Sequence, residues 1–320
     1  MDTYQQIKDL LTRIPSITDW DDIHSLFGRV ASAKPYHWSL PILGCEAVGG
    51  TADQAIPTAL AIACSHVSII LVDDMLDSDP RGEYHRLGMP ATANLACTYQ
   101  SATLAAGYLC EIGDHQKVTI LESLSEMILA TALGQFWDTQ SPPADEEIYW
   151  RIVRTKSSPF FGTALQIGAL AGGSSIKNAE KLRKLGCVYG EMIQIHDDLN
   201  DVMACPANPD WTQMRSPLPI LFALLVDHPH RLRFLELREN ITSEGALEEA
   251  QSILIRIGAI SYCIDQLLYR AQIARDILDN TSLAQRDGLE AMLEKVVTPV
   301  QNLFAAIGEP PPMNLIMNQA

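Results

Sequence analysis

A long apolar run that ends in three carboxylates places the strongest constraint on how this chain folds. Residues 56–72 are mostly aliphatic or small, and they lead directly into Asp73, Asp74 and Asp77. Asp73 and Asp77 are four residues apart, so on a helix they share one face, with Asp74 beside them. Since the run is short for a membrane span and contains serine and histidine, it indicates a buried core helix.

The sequence also predicts where this helix begins and ends. Gly49 and Gly50 are typical of a helix stop, and Thr51 directly after them is a favourable N-cap residue. At the other end, the Asp79–Gly82 stretch contains proline and glycine, which favour a turn. The pattern therefore predicts one helix over Ala52–Asp77, followed by a loop through Pro90.

A second acidic cluster indicates a metal site. Asp197, Asp198 and Asp201 repeat the spacing of the first cluster, again after an apolar run. Carboxylates this close repel one another unless a cation lies among them. Mg²⁺ suits such groups, because it binds through one or two carboxylates together with phosphate oxygens of a substrate. Two such clusters favour a metal-binding function over two solvated helix ends.

The remaining sequence predicts helices and no strands. No segment alternates apolar and polar residues, and no glycine-rich nucleotide-binding loop or nucleophile elbow is present. With 47% hydrophobic and 19% charged residues, the chain can bury one large core. We expect an all-α, single-domain helical bundle over residues 1–320, with a central apolar pocket and a loose tail over about 308–320. Predicted helices cover residues 4–14, 20–32, 94–109, 115–137, 145–171 and 175–201, with two or three more over 232–307 and a loop over 206–219.

Charge and cysteine content restrict the partners and the compartment. The net charge of −16 argues against nucleic acid and against an anionic membrane surface. The seven cysteines are scattered and show no metal-binding spacing, which is typical of a reducing compartment. The polar N-terminus lacks the pattern of a signal peptide. We therefore expect a cytoplasmic protein with no transmembrane segment.

Several motifs in a fixed order resemble the trans-isoprenyl diphosphate synthases, which are the polyprenyl synthetases of the class I isoprenoid synthase fold. The resemblance runs from about residue 34 to about residue 225. The two aspartate-rich motifs of that family match Asp73, Asp74 and Asp77, and then Gln194, Asp197, Asp198 and Asp201. Its Gly-Gln-x-x-Asp, Lys-Thr and Asp-Lys-Thr-Leu-Pro motifs match Gly134-Gln135-Asp138, Lys156-Ser157, and Asp210, Arg215 and Pro217-Leu218-Pro219.

The resemblance implies a reaction and a set of ligands. In the family, Mg²⁺ ions, typically three, join both aspartate clusters to the diphosphate of an allylic isoprenyl substrate, and the enzyme is a homodimer. By the same resemblance, Arg86, Lys156, Arg215, Gln135 and Gln194 would bind the substrate diphosphate. The departing pyrophosphate would be stabilised electrostatically, and the allylic cation would lie in an apolar tunnel that excludes water.

The resemblance also suggests which residues line the tunnel. In the family, bulky residues just before the first aspartate motif form its floor, and Ser68 and Ile69 occupy those positions here. Because Ser68 is small, we expect room for a chain of roughly C15–C20. Trp38, Tyr36 and Phe160 are further candidates for the pocket wall.

The chain departs from the family at the second substrate site, where isopentenyl diphosphate is held without metal. Lys34 is retained, but His37, Leu87 and Ala93 stand where the family has Arg, Arg and His. Each charge-assisted hydrogen bond to a diphosphate is worth about 1.5–3 kcal/mol, so the loss of these contacts would weaken the binding of isopentenyl diphosphate. We therefore describe this second site as degenerate.

Three functions follow from these features, in this order of preference. The degenerate site favours an enzyme that ionises an allylic diphosphate without elongating it. The cation is then cyclised or quenched, as in a terpene synthase, or passes to an acceptor other than isopentenyl diphosphate. The first alternative is an ordinary chain-elongating synthase of the geranylgeranyl or farnesyl diphosphate type. The second is a non-catalytic regulatory subunit of a prenyl synthase, which the two intact aspartate clusters disfavour.

Overall fold

The computed structural model describes residues 2–140 and 142–307, with side chains described as far as residue 299. Within these residues the chain is all α-helical, with two short 3-10 helices and no β-strand, so the predicted fold class is confirmed. The predicted tail lies outside the described residues. The helices are α1 Thr3–Leu11, α2 Asp21–Ser32, α3 Leu40–Ala47, α4 Ala52–Asp77, α5 Tyr84–Leu87, α6 Met89–Tyr108, α7 Asp114–Gln140, α8 Glu146–Lys156, α9 Ser158–Ala171, α10 Ile176–Met203, α11 Pro209–Thr212, α12 Leu218–Leu225, α13 Arg231–Glu239, α14 Ala246–Arg256, α15 Ala259–Asp279 and α16 Asp287–Ile307, and the 3-10 helices are Pro15–Ile17 and Tyr36–Ser39.

Helix α4 has the predicted boundaries. Thr51 and Gln54 form a capping box at its start, where the Gln54 side chain accepts a hydrogen bond of 2.8 Å from the Thr51 backbone N–H. The helix ends at Ser78, whose φ of 54° is left-handed. Its length and mean hydropathy of 2.0 would suffice to cross a membrane, but 72% of the apolar window is buried inside the protein. Helix α4 is therefore a core helix, as predicted.

The chain divides into two compact units. The first contains Met1–Ala132, Pro159–Cys187 and Ile277–Glu290. The second contains Leu133–Ser158, Val188–Asp276 and the described part of the segment from Ala291 onward. The prediction of one domain over residues 1–320, and of a central pocket in it, stays a prediction.

In the first unit, α4 is the central element. It packs against α6, α3 and α1, and thirteen of its side chains are buried. Aromatic residues fill the space beside it: Trp38 stacks on Phe27 at a ring-centroid distance of 4.9 Å. Tyr99 of α6 is also buried, and its hydroxyl donates to the Ile23 carbonyl at 2.7 Å. These contacts fix the helix whose end carries the first aspartate cluster.

The second unit has its own core, built from α10 to α15. Trp211 and Phe234 pack edge to face in this core, and the Trp211 indole N–H donates to the Val202 carbonyl at 3.0 Å. A buried ion pair joins Arg270 of α15 to Glu191 of α10 at 2.7 Å, with the guanidinium over the Trp150 ring of α8. The second aspartate cluster lies on α10 within this unit.

Three predicted boundaries differ from the structure. The predicted helix over residues 145–171 is two helices that meet at Ser157, because Pro159 has no N–H to continue the first helix. The predicted loop through Pro90 contains α5, and α6 starts at Met89, since proline is well tolerated in a first helical turn. Four helices, rather than two or three, begin between residues 231 and 287.

Candidate active site

The first aspartate cluster occupies the last turn of α4. Asp73, Asp74 and Asp77 are all partly exposed, so their carboxylates remain accessible at this helix end. The backbone N–H groups of Ser78 and Asp79 both donate to the Asp74 carbonyl, which ends the helix. Burial raises the pKa of the Asp74 carboxyl, and the Asp79 carboxylate raises it further.

Ion pairs between arginines and carboxylates lie beside this helix end. Arg81 binds Asp79 through two hydrogen bonds of 3.1 and 2.8 Å, which lower the pKa of Asp79. Glu83 accepts from Arg29 at 2.8 Å and from Arg86 Nε at 2.5 Å. Arg86, predicted to bind diphosphate, is half exposed and is already paired with Glu83. Sequence reasoning missed Arg81 and Glu83, although both stand in or beside the turn after the motif.

The residues predicted to form a degenerate second site lie in the first unit and offer little positive charge. Lys34 is 64% exposed in its side chain and pairs with Asp2 at 3.3 Å. Leu87 is partly buried and Ala93 is exposed on α6. His37 is neutral, because burial lowers the pKa of its imidazole.

His37 belongs to a largely buried aromatic cluster with Trp38, His66, Phe160 and Phe161, in which the two histidines are partly exposed. Its ring lies edge-on to His66 at 5.1 Å and to Phe161 at 5.6 Å. The Trp38 indole N–H donates to His66 Nδ1 at 3.2 Å, and burial lowers the pKa of His66 to about 3. His37 Nδ1 is buried without a hydrogen-bond partner among the described residues. The cluster is thus aromatic and carries no charge at neutral pH.

The predicted pocket residues have different degrees of burial. Trp38 is fully buried, whereas Tyr36 and Ile69 are partly exposed. Phe160 is buried and tilted against His66 at 6.0 Å. Ser68 is buried, and its hydroxyl donates to the Ala96 carbonyl at 3.0 Å, which links α4 to α6. The lining of a substrate tunnel by these residues stays a prediction.

The second aspartate cluster contains carboxylates of two kinds. Asp197 and Asp201 are exposed on α10. Asp198 is only 4% exposed, and it accepts hydrogen bonds from the Tyr149 hydroxyl at 2.7 Å, the Leu218 backbone N–H at 2.7 Å and Gln194 Nε2 at 2.8 Å. Burial raises the pKa of Asp198 to about 7, against the lowering effect of these donors. Asp198 thus ties together α8, α10 and α12.

Gln194 continues this network. While its amide N–H₂ donates to Asp198, its Oε1 accepts from the Ser157 hydroxyl at 2.9 Å. Gln194 is predicted to bind the diphosphate, but both polar atoms of its side chain already form hydrogen bonds within the protein. Gln135, the other predicted glutamine, is buried, and its Oε1 has no partner among the described residues.

Two ion pairs stand beside the second cluster in the same unit. Lys156 Nζ, at the end of α8, donates to Asp138 at 2.6 Å. Arg215 lies 3.9 Å from Asp210. Burial raises the pKa of Asp210, Arg215 opposes the rise, and the Asp201 and Asp138 carboxylates add to it. Two ion pairs, which contain residues of three sequence motifs, therefore lie near Asp201 of the second aspartate motif.

The carboxylates of each cluster are of the kind that suits Mg²⁺ binding together with a ligand. Among the residues with described side chains, no three His, Cys, Asp or Glu groups lie close enough together to hold a metal ion on their own. Mg²⁺ does not need such a cage, because it keeps water ligands and takes phosphate oxygens of a substrate in addition to one or two carboxylates.

Comparison with known proteins gives one consistent family. The Polyprenyl synthetase family model matches residues 33–254, which includes every motif named above. A geranylfarnesyl diphosphate synthase from Aeropyrum pernix is 24% identical over 89% of this chain and 94% of its own length.

Solved structures agree with that match. The geranylgeranyl pyrophosphate synthetase of Pyrococcus horikoshii Ot3 has a TM-score of 0.80 and 21% identity, covering 92% of this chain and 95% of its own. A geranylgeranyl pyrophosphate synthase from Corynebacterium glutamicum, complexed with calcium and isoprenyl diphosphate, has a TM-score of 0.74 and 20% identity, covering 94% and 95%. Because the family model matches more than half of this chain, the chain belongs to the polyprenyl synthetase family and is a prenyltransferase enzyme of the class I isoprenoid synthase kind.

Proposed function

We propose that this enzyme elongates an allylic isoprenyl diphosphate with isopentenyl diphosphate, to a product of the farnesyl or geranylgeranyl diphosphate type (roughly C15–C20), and releases pyrophosphate. The observation that carries the proposal is the convergence of the Lys156–Asp138 and Arg215–Asp210 pairs on the exposed Asp201 of the second aspartate motif. Relatives named as diphosphate synthases support elongation. The preference drawn from the sequence alone, for an enzyme that does not elongate, therefore becomes the second candidate.

The exposed carboxylates are the proposed metal ligands. Asp73, Asp74 and Asp77 are the proposed Mg²⁺ ligands of the first unit, and Asp197 and Asp201 those of the second, whereas Asp198 would keep α10 in place for its neighbours. When bound, Mg²⁺ supplies the positive charge that stabilises a departing pyrophosphate. The related synthase complexed with calcium and isoprenyl diphosphate supports this use of a divalent cation.

Lys156, Arg215 and Arg86 are the proposed protein ligands of the allylic diphosphate. Each of them is paired with a carboxylate, namely Asp138, Asp210 and Glu83. A diphosphate carries more charge than one carboxylate and offers more acceptor oxygens, so it can compete for these cations. The pairs would hold the basic side chains in position before the substrate binds.

The uncharged groups of the first unit are the proposed environment of the isoprenyl chain. Phe160, Ile69 and Tyr36 offer apolar surface, and the neutral imidazoles of His37 and His66 add no charge. Such surroundings exclude water, which would otherwise quench an allylic cation. The small Ser68 would leave room for a C15–C20 chain.

The second candidate is an enzyme that ionises the same substrate but does not elongate it. The specific observation in its favour is the lack of positive charge at His37, Leu87 and Ala93, together with the exposure of Lys34. A second diphosphate without metal would find few charge-assisted donors there. The cation would then be cyclised, quenched or passed to another acceptor.

We also propose that the enzyme is a homodimer. Leu129, Leu133 and Phe136 of α7 are exposed, and their spacing of four and three residues puts them on one helix face. Exposed apolar side chains in such an arrangement are typical of a protein interface. The molar mass in solution, measured by light scattering during size-exclusion chromatography, tests this.

For its location we propose the cytoplasm. All seven cysteines are free thiols, and Cys45, Cys64, Cys110 and Cys263 are buried in the protein core. Free thiols are maintained in a reducing compartment.

Product analysis separates the two candidates. The purified enzyme with Mg²⁺ is given geranyl, farnesyl or geranylgeranyl diphosphate, each alone and then with isopentenyl diphosphate. A longer diphosphate that forms only with isopentenyl diphosphate supports elongation. A hydrocarbon or alcohol from the allylic substrate alone supports the second candidate and refutes elongation. An Asp73→Ala variant should release no pyrophosphate in either case, and retained release would refute the metal assignment.

A further inference from the structure

A buried arginine on α13 holds the segment that carries Arg215. Arg238 is 6% exposed, and its Nη2 donates to the Met214 carbonyl at 2.6 Å, to the Arg215 carbonyl and to the Ser216 hydroxyl at 3.3 Å. One guanidinium thus contacts three consecutive residues. These residues are the middle of the connection between α11 and α12.

The environment of Arg238 is unusual for a cation. All acceptors that it contacts among the described residues are neutral, and its Nε is buried without a partner there. Burial lowers the pKa of this guanidinium. A buried charge without a carboxylate partner is unfavourable for stability, so its presence calls for another explanation.

The segment it holds is conformationally demanding. Met214 has a φ of 59°, a left-handed conformation that residues with a side chain seldom adopt. Such backbone persists only where surrounding contacts enforce it. Two further contacts fix its ends: Arg215 N–H donates to the Asp210 carbonyl at 2.9 Å, and Leu218 N–H donates to Asp198 at 2.7 Å. The Arg238 contacts stand between these two.

We propose that Arg238 is a positioning residue for substrate binding, which acts by holding Arg215 where it can bind the allylic diphosphate. This rests on the proposed function of Arg215. Arg238 is not a catalytic residue, because it is buried beneath the segment and donates only to the segment itself. Without Arg238, residues 214–216 would lose the three hydrogen bonds that it donates to them. The backbone from which the Arg215 side chain extends would then no longer be held in position.

The test is a double-mutant cycle on the full-length enzyme. Steady-state kcat and KM for the allylic diphosphate, and the Kd for inorganic pyrophosphate with Mg²⁺ by calorimetry, are measured for Arg238→Gln, Arg215→Gln and the double variant. Misplacement of a binding group can cost on the order of tenfold to a hundredfold, and we expect a KM rise of this size for Arg238→Gln with a smaller change in kcat. Adding Arg238→Gln to Arg215→Gln should change KM little further, because both act through one contact.

Two further variants complete the design. Arg233→Gln is the matched control, since Arg233 is on the same helix but pairs with Glu249 at the surface, and it should leave KM unchanged. Arg238→Lys keeps the charge but cannot span three acceptors, so it should show an intermediate KM even if Arg238→Gln fails to fold.

The possible outcomes distinguish a failure of the proposed role of Arg238 from a failure of the proposed role of Arg215. If Arg215→Gln raises KM but the effect of Arg238→Gln is additive to it, Arg238 does not act through Arg215 and the inference is wrong. An Arg238→Lys enzyme with unchanged KM and pyrophosphate affinity would overturn it as well. If Arg215→Gln itself changes neither value, the proposed role of Arg215 fails first, and this inference with it.

Discussion

At the scale of single residues, two adjacent carboxylates in the second motif have different environments. Asp197 is exposed, whereas Asp198 is buried and accepts three hydrogen bonds. Successive residues on a helix point about 100° apart, so one side chain can face solvent while the next faces the core. The motif therefore combines a group available to a metal with a group that fixes the helix.

Substitution of these two neighbours by asparagine should separate the roles. Asp197→Asn should abolish Mg²⁺-dependent pyrophosphate release while the free energy of unfolding stays near that of the wild type. Asp198→Asn should lower the free energy of unfolding by about 1–3 kcal/mol, because its amide would leave a buried donor unsatisfied. Urea unfolding and a pyrophosphate assay measure both effects. Equal losses of stability in the two variants would contradict this assignment.

His66 should make the stability depend on pH. Its pKa is about 3 in the folded protein and near 6.5 when exposed, so the folded state disfavours its protonation. The contribution of neutral His66 is complete above pH 6.5 and is lost as the pH falls towards 3, by up to about 1.4 kcal/mol per pH unit.

The His66 effect is measured as a difference between two proteins, because many carboxylates titrate over the same range. Free energies of unfolding of the wild type and of His66→Gln are compared from pH 7 down to the lowest pH at which both fold. The advantage of the wild type should shrink as the pH falls. A difference independent of pH would show that His66 does not titrate as described.

At the scale of helices, the crossing of α7 and α8 places Lys156. Gly134 of α7 lies so close to α8 that a Cβ atom there would be 2.3 Å from the Lys156 backbone nitrogen. Only glycine permits this approach, and the approach brings the Lys156 side chain to Asp138 one turn further along α7. The glycine of the Gly-Gln-x-x-Asp motif thus serves the packing of the helices that hold the ion pair.

Gly134→Ala should therefore destabilise the protein and raise KM for the allylic diphosphate. The added Cβ meets backbone atoms that cannot rotate away, and overpacking of this kind typically costs about 1–3 kcal/mol. Gly28→Ala on α2 is the matched control, because nothing lies within 4 Å of its added Cβ. It should be neutral or stabilise by up to about 1 kcal/mol, since alanine favours helices. Thermal unfolding of both variants tests this, and a neutral Gly134→Ala would contradict the close packing.

Helix boundaries could be predicted wherever the decisive residues are adjacent in sequence. Thr51 caps the start of α4, as the sequence alone indicates, and the structure adds Gln54 as its partner in a capping box. The break at Ser157 was missed although Pro159 marks it, because the apolar pattern continues across both helices. The burial of Asp198 could not be predicted, since its donors Tyr149 and Leu218 are 49 and 20 residues away along the chain. For the same reason, no sequence signal pointed to Arg238.

At the scale of the whole molecule, charge is the main obstacle to binding a diphosphate. The net charge is −16, so anions are repelled at long range unless local cations or metal ions attract them. The proposed allylic site offers Lys156 and Arg215, and in the second unit both belong to ion pairs near the second aspartate cluster. The positions predicted to face the second diphosphate offer a neutral imidazole, a leucine and an alanine. The affinity for isopentenyl diphosphate is therefore the property in which this enzyme should differ most from its relatives.

Restoring the missing basic groups should strengthen binding of isopentenyl diphosphate. In a Leu87→Arg, Ala93→His double variant, each new charge-assisted hydrogen bond would contribute about 1.5–3 kcal/mol. Since about 1.4 kcal/mol is tenfold, KM for isopentenyl diphosphate should fall at least tenfold while KM for the allylic substrate changes little.

Val118→Arg on α7 is the control, because it adds one positive charge at an exposed apolar position of another helix. If this control lowers KM equally, the gain reflects overall charge and not the site. If the double variant elongates no better than the wild type, and the wild type already binds isopentenyl diphosphate tightly, then other groups hold that diphosphate. The alignment of His37, Leu87 and Ala93 with the second site would then be wrong. A variant that gains elongation where the wild type has none would instead identify the lost charges as the reason that this enzyme releases or cyclises its cation.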